Sequence, residues 1–268
     1  MKLWQGLGYY SRARNLQKAA KVIVEAYGGE FPPDYDAIRA LPGIGDYTAG
    51  AISSIAFGLP RAAVDGNVLR VVTRLTADGR DISSPAVKKS VAAALEAVMP
   101  LKAPGEFDQA LMELGATVCL PNGAPLCGRC PAQDFCRAHV QDRTADFPVK
   151  PSKKPRRSEQ RQVYLLFHRG RVALRRRPDK GLLAGLWEFP NALEGEALPL
   201  DLPPLEFVGT AKHIFTHIEW HMTGWAGELR SDRLPEGWVW ANAFELRHTY
   251  SIPSALRAFT EIAEKGLK

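Results

Sequence analysis

The sequence of 268 residues predicts a multidomain fold, an all-α half followed by a smaller α+β half. Three observations predict it. Apolar residues recur at helical spacing from Tyr10 to about Cys136, strand-like runs take over beyond Val163, and a stretch rich in Pro, Lys and Arg separates the two. The boundaries fall at residues 1–142, a basic linker over 143–162, and residues 163–268. A hydrophobic content of 46% is enough to bury substantial cores, and a net charge of +6 is what a polyanion binder carries, as do many ordinary proteins. No apolar run reaches the roughly 18 residues that span a bilayer, and the N-terminus has no hydrophobic signal core. A membrane partner is therefore not expected, and a cytoplasmic, nucleoid-associated protein is.

Ala13, Leu16, Ala19, Ala20, Val22, Ile23 and Ala26 fall on one face of the first helix. Leu41-Pro42-Gly43-Ile44-Gly45 then interrupts the pattern, and Tyr47-Thr48-Ala49-Gly50-Ala51-Ile52 opens the next helix. Two glycines leave the backbone N–H groups of the turn unscreened, and a helix N-terminus faces the same way. Such a turn holds a phosphate without reading a base. About one helix later stands Asp65-Gly66-Asn67, which alone is equally a turn or N-cap signal. Val87, Val91, Ala94, Leu95 and Val98 form a further helical face, and Phe107, Leu111, Met112 and Leu114 lead into the cysteines.

All four cysteines, Cys119, Cys127, Cys130 and Cys136, share one window with the spacing C-x7-C-x2-C-x5-C. A reducing compartment argues against disulfides, and the clustering argues against unrelated core thiols. Four thiolates in one loop make a zinc site or an iron–sulfur cubane, and the spacing leaves both open. Pro148, Lys150, Pro151, Lys153, Lys154, Pro155, Arg156 and Arg157 then read as an extended linker, either simply solvated or lying along a phosphate backbone. Val163–Phe167 and Val172–Leu174 look like strands joined at Arg169-Gly170. Phe207–Ile214 and Ile218–Trp225 look like two more, and Pro253–Ala263 like a closing helix.

Leu3-Trp4-Gln5-Gly6-Leu7-Gly8-Tyr9-Tyr10-Ser11-Arg12-Ala13-Arg14-Asn15-Leu16, the Leu41–Gly45 turn, Val64-Asp65-Gly66-Asn67-Val68-Leu69-Arg70 and the cysteine loop occur in that order. Together they resemble the MutY family of adenine DNA glycosylases, densely from Leu3 to Cys136 and more loosely from Val163 to Ala263. The resemblance implies a helix-hairpin-helix glycosylase domain with an iron–sulfur loop and a Nudix-like second domain. The four cysteines would hold a 4Fe-4S cluster. The implied partner of a monomeric enzyme is double-stranded DNA carrying adenine opposite 8-oxoguanine or guanine.

The same resemblance assigns roles. Asp65 is the carboxylate on the sugar side, facing the oxocarbenium-like cation that forms as adenine leaves, with Asn67 and Tyr47 ordering the site. The related endonuclease III enzymes carry a lysine where this sequence has Tyr47. A phenol forms no Schiff base, so a monofunctional glycosylase is implied. Tyr9, with Leu7 and Gln5, would fill the gap left by a flipped base. Gly43 and Gly45 would hold phosphate, with Arg12 and Arg14 as supporting cations. Phe215-Thr216-His217, preceded by His213, would close over 8-oxoguanine.

Several departures accompany the match. The family's general acid is a Glu upstream of the Trp-x-Gly-Leu-Gly-Tyr-Tyr motif, and here that motif begins at Trp4. The expectation is thus a truncated glycosylase lacking its acid, with a catalytically inactive DNA-binding remnant as the alternative. Asp46 is an acid beside the phosphate turn and should weaken DNA affinity slightly. The first cysteine gap is one residue longer than the family pattern, and Thr216 replaces a serine. Gly195–Pro204 lacks the Glu-rich, magnesium-holding helix of a Nudix hydrolase, so the second domain reads as a binder.

Overall fold

The computed structural model describes residues 1–152 and 155–267; two of the linker lysines, Lys153 and Lys154, lie outside the described residues, as does Lys268. Contacts divide the chain into Asn15–Lys153 and a second unit made of Met1–Arg14 with Lys154–Lys268. This differs from a cut at residues 142 and 163. The opening segment finds its partners far along the chain. Lys2 Nζ donates to the carbonyls of Leu246 at 3.3 Å and Tyr250 at 3.0 Å, and Arg14 Nη1 donates to that of Ala184 at 2.6 Å. Local pattern cannot register contacts of such sequence separation. The far end of the expected linker is also ordered, because the first strand already begins at Arg157 and pairs there with Ile218.

Asn15–Lys153 is helical. Its elements are α1 (Tyr10–Tyr27, entering from the other unit), α2 (Tyr35–Ala40), α3 (Asp46–Ala51), α4 (Gly66–Thr76), α5 (Pro85–Val98), α6 (Pro104–Thr117) and α7 (Arg137–Val140). A π-helical turn, Ile52–Ala56, continues α3. Val68, Leu69, Ile82, Val87, Val91, Leu95 and Met99 make the core. The expected face of α5 is half right: Val87, Val91 and Leu95 are buried, whereas Ala94 and Val98 are exposed and Met99 completes the buried row. The apolar face expected on α1 is not buried. Of its residues only Ala19 is, and Leu16 is 66% exposed, because no element among the described residues packs extensively over it.

The second unit is built on a mixed sheet of seven strands: β1 (Arg157–His168), β2 (Arg171–Arg176), β3 (Trp187–Glu188), β4 (Asn191–Leu193), β5 (Glu206–Ile214), β6 (Ile218–Glu228) and β7 (Trp238–Ala241). Their order is β3-β2-β1-β6-β5, with β4 also on β1 and β7 on β2. β1 and β6 run parallel from Arg157↔Ile218 to Phe167↔Glu228, and the other pairs are antiparallel. Arg169 and Gly170, at φ +47° and +70°, make the left-handed two-residue turn that a tight hairpin needs. Val163–Leu166 is buried without alternation because β1 is covered on both faces. On one, α8 (Ala243–His248) and α9 (Arg257–Gly266) supply Leu246 and Phe259. On the other, Leu198, Leu200 and Leu205 pack against Tyr164 and Leu166 in an irregular cover. No helix of the described residues is long and apolar enough to cross a membrane.

The closest packing of α9 on the sheet is at Gly224 of β6, where a Cβ would lie 2.4 Å from Cε1 of Phe259. Gly224→Ala is therefore expected to destabilise this unit by about 1–3 kcal/mol. Gly79→Ala, at a position with open space around it, should not. Calorimetric melting of the two variants checks this.

Candidate functional site

The phosphate turn is set by its neighbours. Asp34 caps α2 through the amides of Asp36 and Ala37, and Leu41 is buried as the chain leaves that helix. The Ile44 amide donates to the Leu41 carbonyl at 3.1 Å, closing the turn. Gly43 has φ +81°, and a Cβ there would sit 2.5 Å from Cβ of Asn15, so both backbone and space demand glycine. Gly45 is the N-cap of α3 and has open space around it. Asp46, the acid in the first turn of α3, is paired with Arg39 and so carries its own counter-charge.

Tyr47 lies on α3, 43% exposed, and its Oη donates to Met112 Sδ at 3.6 Å. Asp65 is the N-cap of α4: Oδ1 accepts from the Val68 amide at 2.8 Å, and Oδ2 accepts from Asn67 Nδ2 at 3.0 Å. The capping and site readings of Asp65 are thus compatible, because each uses a different oxygen. Asn67 Oδ1 accepts in turn from Arg70 Nη2 at 2.8 Å. The same nitrogen donates to the Gly115 carbonyl at 2.6 Å, and Arg70 Nε donates to the Cys119 carbonyl at 2.7 Å. Burial pushes the Arg70 guanidinium below its ordinary pKa, with the Cys119 thiol opposing that shift. One turn on, Arg74 Nη1 donates to Cys119 Sγ at 3.2 Å and to the Leu120 carbonyl at 2.9 Å. Its Nε donates to the Thr144 and Phe147 carbonyls, each at 3.0 Å. A continuous run of hydrogen bonds therefore joins Asp65 to the cysteine loop.

All four cysteine side chains line one cavity, walled by Val71, Leu75, Leu114 and Val118. Burial first, and then the neighbouring thiols, raise the pKa of Cys127. Among the described residues no group of three or more His, Cys, Asp or Glu is arranged to hold a metal ion. Four cysteines around one cavity, with the buried Arg74 against one sulfur, are nonetheless a donor set that suits either zinc or an iron–sulfur cluster.

A separate cleft of about 660 Å³ belongs to the second unit. Its lining includes Leu7, Tyr9 and Arg14 together with Phe215, Thr216 and His217. Gln5 does not line it, nor does Arg12, whose guanidinium instead lies 4.7 Å from the centre of the Tyr9 ring. Phe215 is held edge-on between His213 at 4.5 Å and Trp220 at 4.8 Å. Tyr9 and Leu183, both on this cleft, have φ of +44° and +56°. Such backbone costs roughly 1–3 kcal/mol at a residue other than glycine and collects at functional sites.

The sequence alone gives no role to Arg70, Arg74, Leu183 or Ala184. The first two had a signal: Asn67, Arg70 and Arg74 repeat at helical spacing, placing two cations on a face that is otherwise buried. Arg70→Ala leaves the carbonyls of Gly115 and Cys119 and the amide oxygen of Asn67 without their donor. A loss of about 3 kcal/mol or more is expected in chemical denaturation. Burial lowers the pKa of His213, so its neutral form is the one the fold stabilises. That stability is complete above the ordinary histidine value of about 6.5 and lost as pH falls through the depressed one. His213→Phe, whose ring carries no titratable group, should reduce the loss of melting temperature of this unit as pH falls below about 6.5.

Residues 1–98 match the HhH-GPD superfamily of base excision DNA repair proteins, and residues 162–261 match the NUDIX domain family. The human adenine DNA glycosylase is 36% identical over 322 aligned positions, covering 96% of this chain and 59% of the relative. The rat enzyme is 37% identical, covering 81% and 54%, and the Arabidopsis thaliana enzyme 41% identical, covering 73% and 33%. The chain thus spans between a third and three fifths of these relatives. A non-covalent complex of endonuclease III with DNA aligns at 34% identity and a TM-score of 0.44, over 51% of this chain and 61% of that one. With an HhH-GPD helical domain followed by a Nudix-like domain, the chain belongs to the adenine DNA glycosylase family.

Proposed function

We propose that this protein removes adenine mispaired with 8-oxoguanine or guanine in duplex DNA, by hydrolysing the N-glycosidic bond without cutting the strand. The observation that carries the reading is the Asp65 carboxylate, fixed by the Val68 amide and the Asn67 side chain, with Tyr47 rather than a lysine near the start of α3. Loss of adenine leaves a sugar with oxocarbenium character. An anion held in place before the reaction stabilises that charge without having to reorganise. Tyr47 has no amine to form a Schiff base, so the product is an abasic site.

The second unit is the lesion reader. The hydroxyl of Thr216 supplies a hydrogen-bonding group on the cleft, Phe215 an apolar ring, and Tyr9 the side chain that would occupy the gap beside the damaged base. The turn at Gly43 and Gly45 holds backbone phosphate. Cys119, Cys127, Cys130 and Cys136 would hold a 4Fe-4S cluster. Arg70 and Arg74 grip this loop from α4, and a bound cluster would fasten it further.

The test is adenine release under single-turnover conditions from duplexes with 8-oxoguanine or guanine opposite the adenine. Asp65→Asn is expected to slow release by about 10²–10³-fold while duplex affinity is kept. Phe215→Ala is expected to narrow the preference for 8-oxoguanine over guanine. Release by Asp65→Asn at the unsubstituted rate would overturn the mechanism. Tight mispair binding with no release by the unsubstituted chain would make these residues a binding module only. Iron and acid-labile sulfide in the purified protein support the cluster, and stoichiometric zinc overturns it.

A further inference from the structure

We propose that Asp108 is a positioning residue, whose carboxylate ties the helix bearing Tyr47 to the segment entering Asp65 and so sets the spacing between those two groups. The significance of that spacing rests on the function proposed above. Asp108 is completely buried, out of reach of a bound substrate. Its Oδ2 accepts two hydrogen bonds, from Ser54 Oγ at 2.7 Å and from the Ala63 amide at 3.1 Å. Ser54 lies in the π-helical turn that continues α3, the helix of Tyr47. Ala63 stands two residues before Asp65. One oxygen therefore joins the two elements that deliver the two site residues.

The rest of α6 is arranged to the same end. Gly105, Asp108, Met112 and Gly115 follow at steps of three, four and three, which puts them on one face of the helix. A Cβ on Gly105 would lie 2.8 Å from Cα of Ile55 and 2.9 Å from the Ser54 carbonyl oxygen, so α6 touches the π turn backbone to backbone. A Cβ on Gly115 would lie 2.6 Å from Cβ of Asn67, so its other end touches α4 just as closely. Met112, between them, accepts from Tyr47 Oη. The two clamped elements also meet directly, since a Cβ on Gly50 would lie 2.3 Å from the Ala62 carbonyl oxygen. π turns interrupting an α-helix occur often at functional sites, where they re-aim side chains.

Packing alone would hold α6 in place with an apolar residue at position 108. A carboxyl group there is disfavoured by desolvation, and burial accordingly raises its pKa. Its Oδ1 has no partner among the described residues. What it adds is direction, because two donors from two elements must converge on one atom.

Hydrogen–deuterium exchange on the full chain tests this directly. Asp108→Ala is expected to speed amide exchange about tenfold in residues 46–56 and 62–68, the effect of losing a typical hydrogen bond, and to leave residues 85–98 unchanged. Asp108→Asn keeps one acceptor oxygen for both donors and should restore protection in both segments. Ser54→Ala, a milder change, should loosen residues 46–56 more than residues 62–68. Unchanged exchange in Asp108→Ala, a uniform rise through the whole helical unit, or no rescue by asparagine would each overturn the proposal. In parallel, adenine release by Asp108→Ala should fall by about 10²-fold with duplex affinity unchanged, as for a misplaced reacting group. No release by the unsubstituted chain, with exchange responding as described, would remove the proposed activity and leave the clamp standing.

Discussion

Much of the helical unit depends on one constraint: two guanidinium groups are buried on the same face of α4 and must be satisfied there. Arg70 and Arg74 are each only 5% exposed. A buried cation is stable only where acceptors surround it. The acceptors here are carbonyls of Gly115, Cys119, Leu120, Thr144 and Phe147, the amide oxygen of Asn67 and the Cys119 sulfur. Asn67 of α4 apart, they come from the end of α6, from the cysteine loop and from the segment after α7. Satisfying two side chains thus positions three stretches of irregular or terminal backbone, and it fixes the orientation of the amide that holds Asp65.

This arrangement explains why a loop with little regular structure can stand beside a site that needs exact placement. The cysteine loop contains short helical turns and little buried apolar surface beyond Ala132, Cys136, Ala138 and Phe147. Its order comes instead from hydrogen bonds to α4, with a four-thiol cluster as the added fastening in the proposed function. α6 contributes the other half of the rigidity. Its glycines let it approach α4 and the π turn to backbone contact, a distance at which small shifts are strongly resisted.

The second unit works on a different principle. Its core is a sheet covered on both faces, and this firm base carries a cleft whose lining includes strained backbone at Tyr9 and Leu183. Strain of that kind persists where surrounding contacts over-determine it. Here Lys2 and Arg14 tie the opening segment to carbonyls of the α+β unit on either side of Tyr9. Phe215, wedged against Trp220, is anchored to the core itself.

Much of this protein is written locally. Gly43 in its turn, Asp65 as the cap of α4, the Arg169-Gly170 hairpin and the strands on either side of it all follow from dihedral preferences, capping or periodicity within a few residues. The close set of cysteines and the switch from helix to sheet belong to the same class. Tertiary structure decided the rest. It put Leu7 and Tyr9 in one cleft with Phe215, Thr216 and His217, and gave Arg70 and Arg74 their acceptors. It set Asp108 between two elements and left Leu16 of α1 exposed where helical periodicity predicts burial. The physical reason is common to all of these. A residue's backbone preference is set by its immediate neighbours, whereas its partners are set by which distant surfaces close upon it, and those surfaces carry no mark in the few residues around it.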